Sequence, residues 1–439
     1  MSKTKGFIFD YAKCVGCGAC VVACFNENGA KPPIAWRNIS TYNRQKVPLL
    51  GYVHLSLACN HCAEAPCMKA CPSLAYSFHP TTGAVIHNPD ACLGCRYCTW
   101  ACPFGAPQYS KEEGIVEKCH FCYHRLEQGQ FPACANNCPT GALGFGEIEE
   151  NAHPVAFGLS KRAIYPRISI LNSEVINHTP EVDPSASGIE GGLTSKGKIQ
   201  NAQMHNGIKE EWPLALFTFI SSFLSGYIIS FTVGNNFKFP VWLFAALAFS
   251  ALLLSTLHLG KPFRSYLSIK NLKQSWLSRE ILLFGLFAST SFVAILVDVK
   301  WVYTISSVLS ILFLLSIEMV YSITKRKYIT LIHSANTILI ALVFVAFFSQ
   351  YWNVLIAILA LKTILFIVNN GLKASKPTLI NTIVGFAKIV FGFLLPFAML
   401  SYSHSPSIII IFISLIFSEL IDRIIYYNDF EPERNFYNS

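Results

Sequence analysis

All sixteen cysteines of this 439-residue chain lie between Cys14 and Cys138, in four groups of four. The first group, Cys14, Cys17, Cys20 and Cys24, has the spacing C-x2-C-x2-C-x3-C, which Cys92, Cys95, Cys98 and Cys102 repeat in the third. Cys59, Cys62, Cys67 and Cys71 make the second group, and Cys119, Cys122, Cys134 and Cys138 the fourth. Pro72, Pro103 and Pro139 follow the last cysteine of three groups, and Phe25 takes that place in the first. Three cysteines on one tight loop can each reach a different iron of a [4Fe–4S] cubane. The fourth, just beyond, is carried away, and in two-cluster ferredoxins it ligates the neighbouring cluster. Sixteen thiolates satisfy four cubanes with none left over. Structural zinc is the competing reading, but zinc sites favour two separated C-x2-C pairs or mixed Cys/His sets. The opening MSKTKGFIFDYAKC has no apolar signal core and no Arg-Arg pair. No export signal of its own is therefore expected, and metal ligation outweighs disulfides.

The elements that hold these residues are short. Residues 1–150 are punctuated by Cys, Pro and Gly, and strands such as 83–87 alternate with cysteine-rich helical turns. Such a region has little room for an apolar core, so bound clusters are expected to organise it. Residues 151–211 read as a covering tail and linker. The chain then changes character. Overall it is 52% hydrophobic and 13% charged, with mean hydropathy +0.42. Eight apolar stretches follow Trp212, at 213–233, 240–259, 281–298, 301–323, 329–349, 352–370, 378–400 and 406–427. Each is near the roughly 20 residues that a helix needs to cross the hydrocarbon. The sixth and seventh are the least certain by composition, because Lys362 and Lys388 interrupt them. Residues 429–439 form a C-terminal tail.

Charge is divided unevenly. Before Trp212 there are 18 Lys/Arg against 17 Asp/Glu, and from there on 16 against 8. The formal net charge of +9 therefore sits mostly in short loops between apolar spans, which is a topology signal and not a nucleic-acid footprint. With eight spans both termini share one side. Lys261, Arg264, Lys270, Lys273 and Arg279, then Lys325, Arg326 and Lys327, then Lys373 and Lys376 fall on that side, leaving chiefly Lys238 and Lys300 opposite. The positive-inside rule then places the cysteine region in the cytoplasm of a multi-pass protein of the bacterial inner membrane.

Several stretches resemble the electron-transfer subunit of dimethyl sulfoxide reductase. They are Cys59-Asn-His-Cys, the run from Cys92 to Tyr109, Lys118-Cys-His-Phe-Cys, and the run from Cys138 to Gly146. The resemblance covers nearly the first 150 residues and implies an α+β ferredoxin-like domain of two paired dicluster modules. It also implies that the first and fourth groups exchange ligands, as do the second and third. One cluster would take Cys14, Cys17, Cys20 and Cys138, and its partner Cys24, Cys119, Cys122 and Cys134. A third would take Cys59, Cys62, Cys67 and Cys102, and the last Cys71, Cys92, Cys95 and Cys98. Some relatives replace a third-group cysteine by Trp and hold a three-iron cluster; cysteine at all four positions here favours [4Fe–4S] throughout.

The segment His258-Leu-Gly-Lys-Pro-Phe-Arg264 with Ser275-Trp-Leu-Ser-Arg-Glu280 is similar to the membrane-anchor subunit of the same family, as is, more loosely, 419–427. The resemblance implies an all-α polytopic anchor over 212–428 that oxidises menaquinol. His258, Arg264, Arg279 and Glu280 are its candidate quinol residues. Capping, snorkelling or topology are the plain alternatives for His258 and the two arginines. Glu318, Lys362, Lys388, Glu419, Asp422 and Arg423 are intramembrane ionisable candidates, for function or for bundle pairing. His258, His333 and His404 lie in different helices and suggest no bis-histidine pair, so no haem is expected. The implied function is a fused electron-transfer and anchor subunit. It takes electrons from the membrane quinone pool and passes them through four clusters to a separate molybdopterin-containing catalytic subunit. The alternatives are a subunit delivering electrons from a formate-, hydrogen- or sulfur-compound-oxidising enzyme to quinone, and an ion-translocating redox module.

Overall fold

The computed structural model describes residues 3–30, 33–42, 53–149, 164–171, 208–234, 237–322, 333–371, 379–402 and 407–428. The chain separates into two compact units that divide between Met204 and His205.

The first unit runs β1 (Lys3–Asp10), α1 (Ala19–Asn28), β2 (Asn38–Tyr42), β3 (Val53–Leu57), α2 (Pro66–Ala70), β4 (Tyr76–Phe78) and β5 (Val85–His87). It continues through α3 (Tyr97–Ala101), β6 (Gln108–Ser110), β7 (Ile115–Glu117), α4 (Tyr123–Glu127), α5 (Ala133–Asn136), β8 (Leu143–Glu149) and β9 (Ile168–Leu171). A cysteine loop, a short helix and an antiparallel pair recur. The pairs β2–β3, β4–β5 and β6–β7 follow the first, second and third cysteine groups. After the fourth group, β8 returns to pair antiparallel with β1, Phe7 opposite Phe145. β9 pairs parallel on the other edge of β1, Phe7 opposite Ile168.

Proline placement explains the helix ends. α2 and α3 stop at Cys71 and Cys102, whose ψ angles are 117° and 115°, because Pro72 and Pro103 disfavour helical geometry in the residue before them. Phe25 imposes no such limit. α1 therefore runs past Cys24 to Asn28 and ends on left-handed Gly29.

Part of the expected covering segment belongs to this unit. The amides of Ala63 and Glu64 donate to the carbonyls of Tyr165 and Ile164, and the Arg167 amide donates to Asn60 O at 2.7 Å. Residues 150–163, 172–207 and 429–439 lie outside the described residues. The unit also has more apolar core than its punctuated sequence suggests. Phe7, Phe9, Phe104 and Phe121 are fully buried among Leu55, Leu57, Leu143 and the cysteines. The Phe7–Phe121 and Phe121–Phe145 ring pairs meet edge to face with centroids 5.1 Å apart, a favourable quadrupole geometry.

The second unit is helical: α6 (Ile208–Val233), α7 (Val241–Leu257), α8 (Trp276–Val297), α9 (Lys300–Ser322), α10 (Thr337–Phe348), α11 (Trp352–Gly371), α12 (Leu379–Ile389), α13 (Leu395–Tyr402) and α14 (Ile408–Asn428). A π-helical turn, Val390–Leu394, joins α12 to α13. Among the described residues five stretches are long and apolar enough to cross a membrane: Glu211–Val233, Trp276–Val297, Lys300–Ser322, Trp352–Asn370 and Thr382–Ser401. A sixth is formed if α7 counts together with the short helix Pro262–Ile269, bent 101° from it. The bend falls where Lys261, held before Pro262, leaves helical geometry at φ −131°, ψ 73°.

All eight expected stretches contain helix, yet the helices alone support five or six crossings. α10 is 12 residues, roughly 18 Å at 1.5 Å per residue against about 30 Å of hydrocarbon. α14 carries Glu419, Asp422 and Arg423 in its second half. The two stretches interrupted by Lys362 and Lys388 are among the five that qualify.

Candidate functional site

In every cysteine group the last two members are four residues apart and flank one helical turn, on α1, α2, α3 and α5 or its end. Helix residues four apart lie on one face, about 6 Å apart along the axis. Such a pair serves two neighbouring positions better than one point. Among the described residues no three His, Cys, Asp or Glu side chains converge as ligands of a single metal ion. Tetrahedral zinc instead draws its sulfurs to about 2.3 Å from one point.

The thiols that act on one another cross between groups. Cys14 lies within electrostatic reach of Cys20, Cys138 and Cys17. Cys24 feels Cys134 and Cys122, and Cys119 feels Cys24 and Cys134 as well as Cys59. Cys62 is surrounded by Cys59, Cys102 and Cys67; Cys98 is surrounded by Cys95, Cys71 and Cys92. A cavity lies among Cys59, Cys62, Cys67 and Cys102, walled otherwise by residues such as Val85, Phe104 and Pro107. Four thiols facing an apolar hollow suit a body larger than one ion. A [4Fe–4S] cubane fits this donor set.

All sixteen cysteines are thiols rather than disulfides. Burial, reinforced by neighbouring thiols, pushes Cys24 and Cys95 up to about 12 and Cys102 up to about 11. Without metal these groups stay protonated at neutral pH, so ligation must displace their protons.

Each group opens with the same local device. The residue two past its first cysteine has positive φ: Gly16 at 68°, His61 at 43°, Gly94 at 69° and Phe121 at 62°. This winding turns the residue's amide back on the cysteine. His61 N–H donates to Cys59 Sγ at 3.5 Å, Gly94 N–H to Cys92 Sγ at 3.4 Å and Phe121 N–H to Cys119 Sγ at 3.4 Å. The Gly16 amide does the same for Cys14. Two groups use glycine, which occupies this region freely. His61 and Phe121 accept strain there, and their rings pack with centroids 3.7 Å apart.

Two buried cations stand among the thiols. Arg37 is 2% exposed. It lies 4.4 Å over the Phe7 ring and donates through Nη1 to Ser56 Oγ at 3.0 Å. Its Nε and Nη2 have no partner among the described residues. Burial opposes its charge, but Cys134, Cys20, Cys119 and Cys24 more than offset this and hold its pKa up. Lys118, also buried, donates to the carbonyls of Val85 and Cys119. Lys118 stood in a recognisable motif, whereas nothing in Ala35-Trp-Arg-Asn38 distinguished Arg37.

In the helical unit the candidate quinol residues run from the end of α7 to the start of α8. His258 ends α7, and Arg264 sits in the bent helix after it. Arg279 donates to the carbonyls of Leu272 at 2.8 Å and Lys273 at 2.6 Å and lies over Trp276. Glu280, its neighbour in sequence, is buried within reach of Arg423. Lys362 pairs with Glu419 at 2.9 Å and Asp422 at 3.5 Å, and Lys388 pairs with Asp422 at 2.7 Å. Asp422 also accepts from Ser334 Oγ. Arg423 donates to Thr218 Oγ1 and Ala335 O. Glu318 accepts from Thr337 and lies 3.6 Å from His333. His404 lies outside the described residues.

Residues 50–148 match a 4Fe-4S dicluster domain, and residues 7–27 match a 4Fe-4S binding domain. The probable anaerobic dimethyl sulfoxide reductase chain YnfG of Escherichia coli strain K12 is 40% identical over 158 residues, which span 34% of this chain and 77% of that protein. A second anaerobic dimethyl sulfoxide reductase chain of the same strain is 39% identical over the same shares. A sulfite dehydrogenase subunit of Allochromatium vinosum is 30% identical over 192 residues, covering 39% of this chain and 80% of that one.

Proposed function

This protein belongs to the family of dimethyl sulfoxide reductase iron–sulfur chains, and from that premise we propose that it is the electron-transfer and membrane-anchor subunit of an anaerobic respiratory complex of that kind. Menaquinol is oxidised in the helical unit, and electrons leave singly for a separate molybdopterin-containing catalytic subunit. The observation that carries this reading is the crossing of thiols between cysteine groups, in a protein that also has at least five apolar helices.

The ligand sets are Cys14, Cys17, Cys20 and Cys138; Cys24, Cys119, Cys122 and Cys134; Cys59, Cys62, Cys67 and Cys102; and Cys71, Cys92, Cys95 and Cys98. Clusters bound there supply one-electron transfer at potentials set by their surroundings. The chain's own residues do the rest. Thiolates hold the irons, the amides of Gly16, His61, Gly94 and Phe121 donate to thiolate sulfur, and Arg37 and Lys118 offset anionic charge. In the helical unit His258, Arg264, Arg279 and Glu280 are the quinol candidates, His258 and Glu280 offering proton acceptors, and Arg279 also holds the loop before α8. The basic loops favour a bacterial inner-membrane protein with its cysteine unit in the cytoplasm.

Purified under anaerobic conditions, the protein should contain about sixteen irons, four for each cysteine set. A zinc-dominated metal content would end the reading. His258→Ala should abolish reduction by menaquinol while leaving reduction by dithionite intact.

Two observations favour other readings. The likeness to a sulfite dehydrogenase subunit suits electron flow from a sulfur-compound oxidase into quinone, and the identity of the co-purifying catalytic subunit decides direction. The buried chain of Lys362, Lys388, Glu419 and Asp422 suits ion translocation. Turnover in sealed proteoliposomes would then move charge across the membrane; without such movement the network is structural.

A further inference from the structure

His61 is 0% exposed and Asn60 1% exposed, and both line the cavity formed by Cys59, Cys62, Cys67 and Cys102. The two ends of the His61 ring are treated differently. Nδ1 accepts the Val85 amide N–H at 2.9 Å, so in the neutral ring the proton lies on Nε2. That Nε2–H is buried and has no acceptor among the described residues. The side-chain amide of Asn60 is likewise buried without a partner among them.

The fold holds this ring firmly. Val85, whose amide fixes the tautomer, is held from its carbonyl by Lys118, and Phe121 packs against the ring face. His61 also adopts a left-handed backbone at φ 43°. A buried donor without an acceptor is costly, and a strained residue that keeps one calls for an occupant of the cavity. Resting on the ligand sets assigned above, we propose that His61 Nε2–H, with Asn60 Nδ2 beside it, donates to sulfur of the cluster bound by Cys59, Cys62, Cys67 and Cys102, and raises that cluster's potential above those of clusters lacking such donors. One-electron reduction adds negative charge to the sulfur, and a preorganised N–H favours the reduced form.

The test uses full-length protein purified anaerobically in detergent. Phe121 occupies the equivalent left-handed position in another group, so phenylalanine is a residue that this loop geometry accepts. His61→Phe should keep its iron while one of the four midpoint potentials, followed by EPR, falls. The expected loss is about tenfold in that cluster's reduction equilibrium, or about 59 mV for one electron. The other three midpoints should not move. Unchanged midpoints, or all four moving together, would overturn the proposal.

A second measurement avoids dependence on that variant. In parent protein labelled with 15N-histidine, pulsed EPR of the reduced clusters should show nitrogen coupling to one of them. That coupling should vanish in His61→Phe or, if that variant loses iron, in His61→Asn, whose asparagine tolerates left-handed geometry. No histidine coupling in the parent overturns the proposal. Parent protein without four clusters would instead fail the ligand assignment.

Discussion

The two units bury charge in opposite ways. In the helical unit Lys362 and Lys388 meet Glu419 and Asp422, and Arg423 meets Thr218 and Ala335, so opposite charges and acceptors come from the same bundle. In the cysteine unit, among the described residues, Arg37 keeps two nitrogens unpartnered, and His61 keeps one. Thiols raised by burial surround them. The first arrangement sets charge against charge, with Arg423 Nη2 left without a hydrogen-bond partner among the described residues. The second sets its donors among thiols that suit a cluster.

The sharpest way to break this contrast is to take the metal away. Anaerobic chelation of iron should abolish native structure in residues 3–149, because binding free energy there is folding free energy. Hydrogen exchange in α6–α14 should stay unchanged, and melting of both units together would refute the contrast. The next effect is smaller. Asp422→Ala leaves Lys362 and Lys388 facing one fewer carboxylate and should cost about 3–5 kcal/mol, read as thermal unfolding in detergent. Lys388→Met should cost less, since Asp422 retains Lys362.

Arg37→Met removes a cation whose charge reaches Cys134, Cys20, Cys119 and Cys24. Reduction of the clusters at the first and fourth groups should become less favourable by about 1.5–3 kcal/mol, the scale of a hydrogen bond to a charged group, read as lower midpoints by EPR. The smallest effect tests packing without charge. A Cβ on Gly226 would lie 2.5 Å from Ala341 O and 2.8 Å from Phe344 Cβ, where α6 and α10 pack closely. Gly226→Ala should cost about 1–3 kcal/mol, with all four midpoints unmoved.

Legibility in the sequence followed the range of each interaction. The cysteine groups, the turns within them and the apolar helices are local patterns, and they were readable. Of the eight expected crossings the described helices support five or six, because α10 is short and three charges gather in α14. Lys362 and Lys388 weakened two stretches on paper because their carboxylate partners lie in a distant helix. Arg37 and His61 were missed for a related reason. Each acquires its meaning from groups brought close only by folding, and His61 was visible only as one letter between two cysteines.

The pairing of β1 with β8 has a consequence during synthesis. Phe7 leaves the ribosome early, but Phe145, its partner in the sheet, and Cys138, the thiol beside Cys14, emerge only after nearly the whole unit has been translated. The thiols around Cys62 and Cys98 come from a much shorter stretch, Cys59 to Cys102. A nascent polypeptide can therefore complete its middle pockets while its first four cysteines still await their partners. On the proposed ligand sets, the topology lets the middle clusters load before the outer ones.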